Sequence, residues 1–151
     1  MSPEKPPAAL PSEAHKRISG YEILSKLGQG GMGAVYKARQ VSLDRLVALK
    51  VLPKQLTDKP DFVGRFSREA RLTGQLNHPN IIKVYDVGQS STGIWYYAME
   101  YVEGENLKAV LDREGKLPVK RLARVLTEMA SALDHAHKLG IVHRDIKPDN
   151  I

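Results

Sequence analysis

The sequence predicts an α+β fold, a five-stranded antiparallel sheet crossed by one helix and followed by a purely helical part. Three observations carry that prediction. Between Tyr21 and Met99, short alternating or continuously apolar runs recur between glycine-rich and polar turns, as the strands of a sheet do. One interruption, Asp61 to Leu76, steps its apolar residues by three and four, the period of a helix face. Beyond Gly104 the two-residue period is gone and a helical period runs on to Gly140.

Composition bounds the function classes. The chain has 151 residues, 42% of them hydrophobic and 26% charged, which suits a soluble globular protein with a real core. No hydrophobic run approaches the ~18 residues that span a bilayer, so no membrane segment is expected. Met1 to Ser12 lacks the apolar region of a secretory signal. The absence of cysteine leaves no disulfide framework and no thiolate metal site, and it fits a reducing, cytoplasmic location. A formal net charge of +6 favours an anionic ligand. Nucleic acid is not the expected one, because the basic residues are scattered and no aromatic platform is interleaved with them.

Residues 1–19 hold Pro3, Pro6, Pro7 and Pro11 and read as a flexible proline-rich leader. Tyr21 to Leu27 then reads as a strand, Gly28-Gln29-Gly30-Gly31-Met32-Gly33 as a glycine-rich turn, and Ala34 to Arg39 as a second, alternating strand. A dinucleotide-binding glycine motif opens a helix onto the pyrophosphate. A β-branched strand follows here, so the glycines form the tip of a hairpin. Such a tip suits phosphates, since glycine permits unusual φ and close approach of backbone N–H groups to anionic oxygens.

Leu46 to Leu52 reads as a buried third strand with one lysine, Lys50, inside it. An ammonium there needs a counter-ion, or a stem long enough to reach water. The next helix, Asp61 to Leu76, is started by Pro60 and stopped before Pro79, and it carries Glu69 on the border of its apolar face. Taken alone, Glu69 reads as a surface partner of Arg65 or Arg68. His78 reads as a turn residue. Strands over Ile82–Gly88 and Ile94–Met99 complete the sheet, with Trp95 and Tyr96 covering it.

A short helix from Gly104 to about Arg113 ends at Gly115. A longer one, Val119 to Leu139, lines up Leu122, Leu126, Met129, Leu133 and Ala136 as a bundle-core stripe. His135 and His137 point ~200° apart on that helix, which disfavours a zinc site with His143. His143 is expected to brace the following loop from within the core. That loop, His143-Arg144-Asp145-Ile146-Lys147-Pro148-Asp149-Asn150, places a carboxylate, an ammonium and an amide oxygen within six positions, with Pro148 stiffening their spacing. These groups suit phosphoryl transfer, which depends on positioning and charge neutralisation.

His143 to Asn150 resembles the H-R-D-x-x-x-x-N catalytic loop of protein kinases, and Lys147-Pro148 resembles its serine/threonine branch. Gly28 to Val35 is similar to the kinase G-x-G-x-x-G-x-V loop, and Val47-Ala48-Leu49-Lys50 to its V-A-I-K strand. Arg68-Glu69-Ala70 followed by Leu76 to Ile81 is similar to the αC helix and the turn after it. The four pieces stand in the family's order, and the resemblance is closest to the bacterial branch of eukaryotic-like serine/threonine kinases.

The resemblance implies a kinase-like fold, with a small lobe and hinge over residues 20–103 and part of a large lobe over 104–151. It implies ATP and Mg²⁺ as ligands and a protein Ser/Thr hydroxyl as acceptor. Leu27, Gly28, Gln29, Gly30, Gly31, Met32, Gly33, Val35, Ala48 and Lys50 would then meet the nucleotide. Met99 would be the gatekeeper, and Glu100 and Val102 would belong to the hinge. Asp145 would be the base, Lys147 would steady the transferring group, Glu69 would hold Lys50, and Asn150 would bind the metal. The D-F-G aspartate, activation loop and peptide-binding helices of the family are expected but absent from these 151 residues. The chain alone is therefore expected to transfer little or no phosphate, and a non-catalytic module that binds nucleotide or a partner is the alternative.

Overall fold

The computed structural model describes residues 17–31 and 33–151. The proline-rich leader, up to residue 16, lies outside the described residues, as does Met32. Six antiparallel strands form one sheet in the order β1-β2-β3-β4-β6-β5: β1 Arg17–Ile18, β2 Tyr21–Gly30, β3 Gly33–Gln40, β4 Arg45–Val51, β5 Val84–Gln89 and β6 Trp95–Glu100. The expectation of five strands is thereby corrected. The extra one, β1, is two residues long and pairs with Tyr21 and Glu22, and so short a segment has no period for a sequence pattern to reveal.

Successive side chains of a strand point to opposite faces, and this sorts the core into two clusters. On one face Tyr21, Ala38, Val47, Leu49, Tyr96 and Ala98 pack together. There the Tyr21 hydroxyl donates to Asp86 Oδ2 at 3.0 Å, joining β2 to β5, which are not neighbours in the sheet; the sheet is therefore curled. On the other face Leu52 and Tyr97 meet Phe66 and Ala70 of helix α2, with Trp95, Met99 and Val84 packed around them.

Helix α2 spans Pro60–Gly74, preceded by the single turn α1, Lys54–Thr57, which the sequence pattern did not show. Proline in the first turn, where an N–H has no intrahelical acceptor, and Asp61 near the positive end of the helix dipole both favour this start.

Helix α3 spans Leu107–Glu114, capped by Asn106, whose Oδ1 accepts from the Ala109 N–H at 2.9 Å. It ends at Gly115 (φ 74°), and helix α4, Val119–Lys138, follows. These two helices bury only Val110 and Ala136, while Leu122 and Leu126 of the expected core stripe stay exposed. Two bonds seat the turn after α2 on α4. The Asn77 N–H donates to His135 Nε2 at 3.3 Å, and His78 Nε2 lies 3.0 Å from Ser131 Oγ. Among the described residues no helix is long and apolar enough to cross a membrane.

Candidate active site

The β2–β3 hairpin closes with Gly30 opposite Gly33, and a strand follows the glycines as expected. Gly33 is fixed by geometry: its φ is +138°, and a Cβ there would lie 2.2 Å from the Val51 carbonyl oxygen. At Gly28 and Gly31 a Cβ would meet nothing within 4 Å, so these two backbones face open space. That space is a cleft of about 620 Å³ lined by Leu27, Gly28, Gln29, Gly30, Gly31, Gly33, Val35, Lys50, Asp149 and Asn150. The structure thus brings the glycine hairpin, the strand lysine and the end of the chain to one cavity. Ala48, Met99, Glu100 and Val102 are not among these lining residues. Ala48 is buried and faces Met99 across β4 and β6, the Glu100 N–H is bonded to the Lys83 carbonyl at 2.8 Å, and Val102 is exposed.

Lys50 leaves β4 toward α2, and its Nζ lies 2.7 Å from Glu69 Oε1. Glu69 is therefore not a partner of Arg65 or Arg68 along its own helix. Helical spacing places it one turn after Phe66, which anchors that stretch of α2 on the sheet. The Lys50 side chain is only 20% exposed, so its ammonium is withdrawn from water enough to need this charged acceptor.

The loop after α4 has a different character. Arg144 adopts φ 66°, in the left-handed region, and Pro148–Asn150 forms one 3₁₀ turn. The Asn150 amide nitrogen donates to the Asp145 backbone carbonyl at 2.8 Å and to Asp145 Oδ2 at 3.2 Å, while Lys147 Nζ stands 3.2 Å from the same Oδ2. The hydrogen bond from Lys147, followed by that from Asn150, holds the Asp145 carboxyl below the usual carboxylate range. Asp145 itself does not line the cleft; it is tied to it through Asn150. His143 accepts the Asp145 N–H on Nδ1 at 3.2 Å, so it does brace the loop. Within the described residues it does so from an exposed position and not from a core, because α3 and α4 by themselves bury only Val110 and Ala136.

A family model described as "Protein kinase domain" matches residues 21–151. The chain belongs to the protein kinase family. It is 47% identical over 131 residues to the serine/threonine-protein kinase pkn3 of Myxococcus xanthus, a match covering 87% of this chain and 24% of that one. It is 47% identical over 137 residues to the serine/threonine-protein kinase PrkC of Bacillus subtilis, covering 90% of this chain and 21% of the relative. The chain thus spans about a quarter or less of the length of these curated relatives. Among solved structures, the PknI kinase domain of Mycobacterium tuberculosis superposes with a TM-score of 0.72 at 36% identity, over 88% of this chain and 53% of that domain.

Two residues of this candidate site carry no signal of a role of their own in the sequence. Asp149 lines the cleft beside Asn150, and Tyr97, opposite Lys50 in the β4–β6 register, donates its hydroxyl to Glu69 at 2.8 Å. Asp149 lay inside a motif already singled out. Tyr97 carried no local signal, since its importance comes from the strand register and not from its neighbours in sequence.

Proposed function

We propose that these residues form the nucleotide side and the catalytic loop of a serine/threonine protein kinase, which passes the γ-phosphoryl group of ATP to a protein Ser or Thr hydroxyl in the cytoplasm. The observation that carries the proposal is the Lys50–Glu69 pair set beside a glycine hairpin, with Asn150 closing the same cleft. Open backbone at Gly28 and Gly31 leaves room for phosphate oxygens at N–H groups, and Lys50, aimed by Glu69, supplies the positive charge they need. Leu27 and Val35 offer apolar surface to the adenine, with Ala48, Met99, Glu100 and Val102 toward its far edge.

The Asn150 side chain fits a magnesium ligand: its amide nitrogen is already used on Asp145, which leaves the carbonyl oxygen, the donor type that hard cations select. When bound, magnesium supplies charge neutralisation at the phosphate oxygens. Asp145, ionised at neutral pH and held below the usual range, is a weak base. It therefore acts chiefly by accepting a hydrogen bond from the substrate hydroxyl and aiming its oxygen, taking the proton late; a loose phosphoryl-transfer transition state asks for no more. Lys147, 3.2 Å from Asp145, sets its ammonium where the moving group gathers negative charge.

Titration calorimetry on the 151-residue chain tests the nucleotide half. Mg·ATP is expected to bind, and Lys50→Ala to weaken binding by about ten-fold. An unchanged affinity would remove Lys50 from the site. Mass spectrometry after incubation with Mg·ATP tests transfer, with little or none expected from this chain alone. In any polypeptide that carries these residues and turns ATP over, Asp145→Ala is expected to lower turnover about 10³-fold or more. Equal phosphorylation by parent and variant would refute the assignment of Asp145.

A further inference from the structure

We infer that Tyr97 is a positioning residue that holds Glu69 in place independently of Lys50, so that the helix carrying Glu69 stays docked while the lysine is free to turn toward phosphate. The inference rests on the functional reading above for its consequence, and on geometry for the clamp itself.

Lys50 and Tyr97 are direct partners in the β4–β6 register, so their side chains leave the sheet on the same face, side by side. Both reach one atom, Glu69 Oε1, Lys50 Nζ at 2.7 Å and the Tyr97 hydroxyl at 2.8 Å. The phenol is 5% exposed, and a buried hydroxyl that fails to find an acceptor carries a full desolvation penalty; Glu69 provides that acceptor. The ring is gripped by the same helix, with the Phe66 centroid 5.0 Å away, and its face lies 5.6 Å from the Lys50 ammonium.

The two donors differ in one decisive respect. An ammonium is drawn to phosphate oxygens and divides its attraction between them and Glu69. A neutral hydroxyl in a dry setting has no such rival. Burial, reinforced by the adjacent Glu69 carboxylate, pushes the Tyr97 phenol above its ordinary range, so it remains a protonated donor at every physiological pH. By donating to Oε1, it also spreads the negative charge of Glu69 and weakens the hold of the carboxylate on Lys50. Both effects favour a lysine that can engage a triphosphate without releasing the helix.

The test is a double-mutant cycle on the 151-residue chain with two readouts. Tyr97→Phe keeps the ring and deletes only the hydroxyl. Amide exchange along α2, referenced to Leu49 in the sheet core, is expected to speed up by about five-fold in Tyr97→Phe. That increase should vanish when Glu69→Ala is already present. An unchanged rate, or the same increase in the Glu69→Ala background, overturns the clamp, because a packing role for the ring would not depend on Glu69. The second readout is Mg·ATP affinity, expected to fall about three-fold when Tyr97→Phe is made in the parent and to change no further when it is made in the Glu69→Ala background. If the parent binds Mg·ATP and Tyr97→Phe binds it equally well, the positioning role is refuted. If the parent binds none, the functional reading fails while the exchange measurement still decides the clamp.

Discussion

Among the described residues, the sheet with α2 and the helices that follow differ in how much they bury. Of the buried hydrophobic residues described, twelve belong to residues 17–100 and two, Val110 and Ala136, to residues 104–151. In the first region the charged pair Lys50–Glu69 stands over packed aromatics, with a buried hydroxyl as third member. In the second, Asp145, Lys147 and Asn150 hold one another by exposed, short-range bonds. Within these residues, which cover 53% of the matched PknI kinase domain, the nucleotide side of the proposed site takes its geometry from a hydrophobic core, and the hydroxyl side from a local loop conformation. A change in the first region should spread through the core, whereas a change in the loop should stay local.

The largest expected effect sharpens this contrast directly. Phe66 of α2 is fully buried against Tyr97 and Leu52, and Phe66→Ala is expected to cost about 3–5 kcal/mol of unfolding free energy through lost transfer and a residual cavity. Leu126→Ala, at a side chain 49% exposed in the α4 stripe, should cost about 1 kcal/mol or less. Denaturant unfolding of the two variants measures both, and equal losses would erase the distinction between the regions.

A second, smaller effect lies at the seam between hairpin and sheet. Gly33→Ala forces a side chain into φ +138° and a Cβ to 2.2 Å from the Val51 oxygen, so β3 and β4 must part locally. The expected loss is about 2–3 kcal/mol, from backbone strain. Gly28→Ala, in open space, should leave stability within about 1 kcal/mol. Thermal melts of the two proteins separate a glycine needed for folding from one that leaves room for a ligand.

The same contrast explains what the sequence disclosed. Short apolar runs between turns exposed β2 to β6: β3 alternates because one of its faces is less buried than the other, and β4 reads as a continuous apolar run because it is covered on both faces. The helical step exposed α2 and α4 to within about two residues. The one-turn α1 and the two-residue β1 are shorter than any period, and the strand count was one too low for that reason. Lys50 and Glu69 were each ambiguous alone and were paired in advance only through the resemblance to kinases. Tyr97 needed the β4–β6 register, a relation across space that no local pattern records. His143 is expected in a core, but within the described residues it is exposed, as is its neighbour Val142 at 60%. The seating of Asn77 and His78 on α4 was likewise invisible, since His135 and Ser131 lie more than fifty residues further along the chain.

The smallest effect concerns the loop and requires its sign to be worked out. Asp145 titrates below the usual carboxylate range, chiefly through the hydrogen bond from Lys147 and then that from Asn150. A carboxyl whose pKa is lower in the folded chain than in the unfolded one favours the folded loop at pH above the unfolded value, about 3.9. That preference is lost as pH falls through the folded value, when protonation loosens Lys147 from the carboxyl while Asn150 keeps its bond to the Asp145 backbone carbonyl. The side chain is exposed, so the change should appear in the loop and barely in global stability. Carbon-detected NMR titration of the Asp145 carboxyl is expected to give a midpoint below the ordinary one, moving up toward it in Lys147→Ala. The α2 resonances, which sense the helix's own Asp61 and Glu69 carboxylates, should titrate identically in the parent and in Lys147→Ala. If Lys147→Ala moved their titration as it moves that of Asp145, the two halves of the site would share one cooperative structure, and the division between core-held and loop-held chemistry would be wrong.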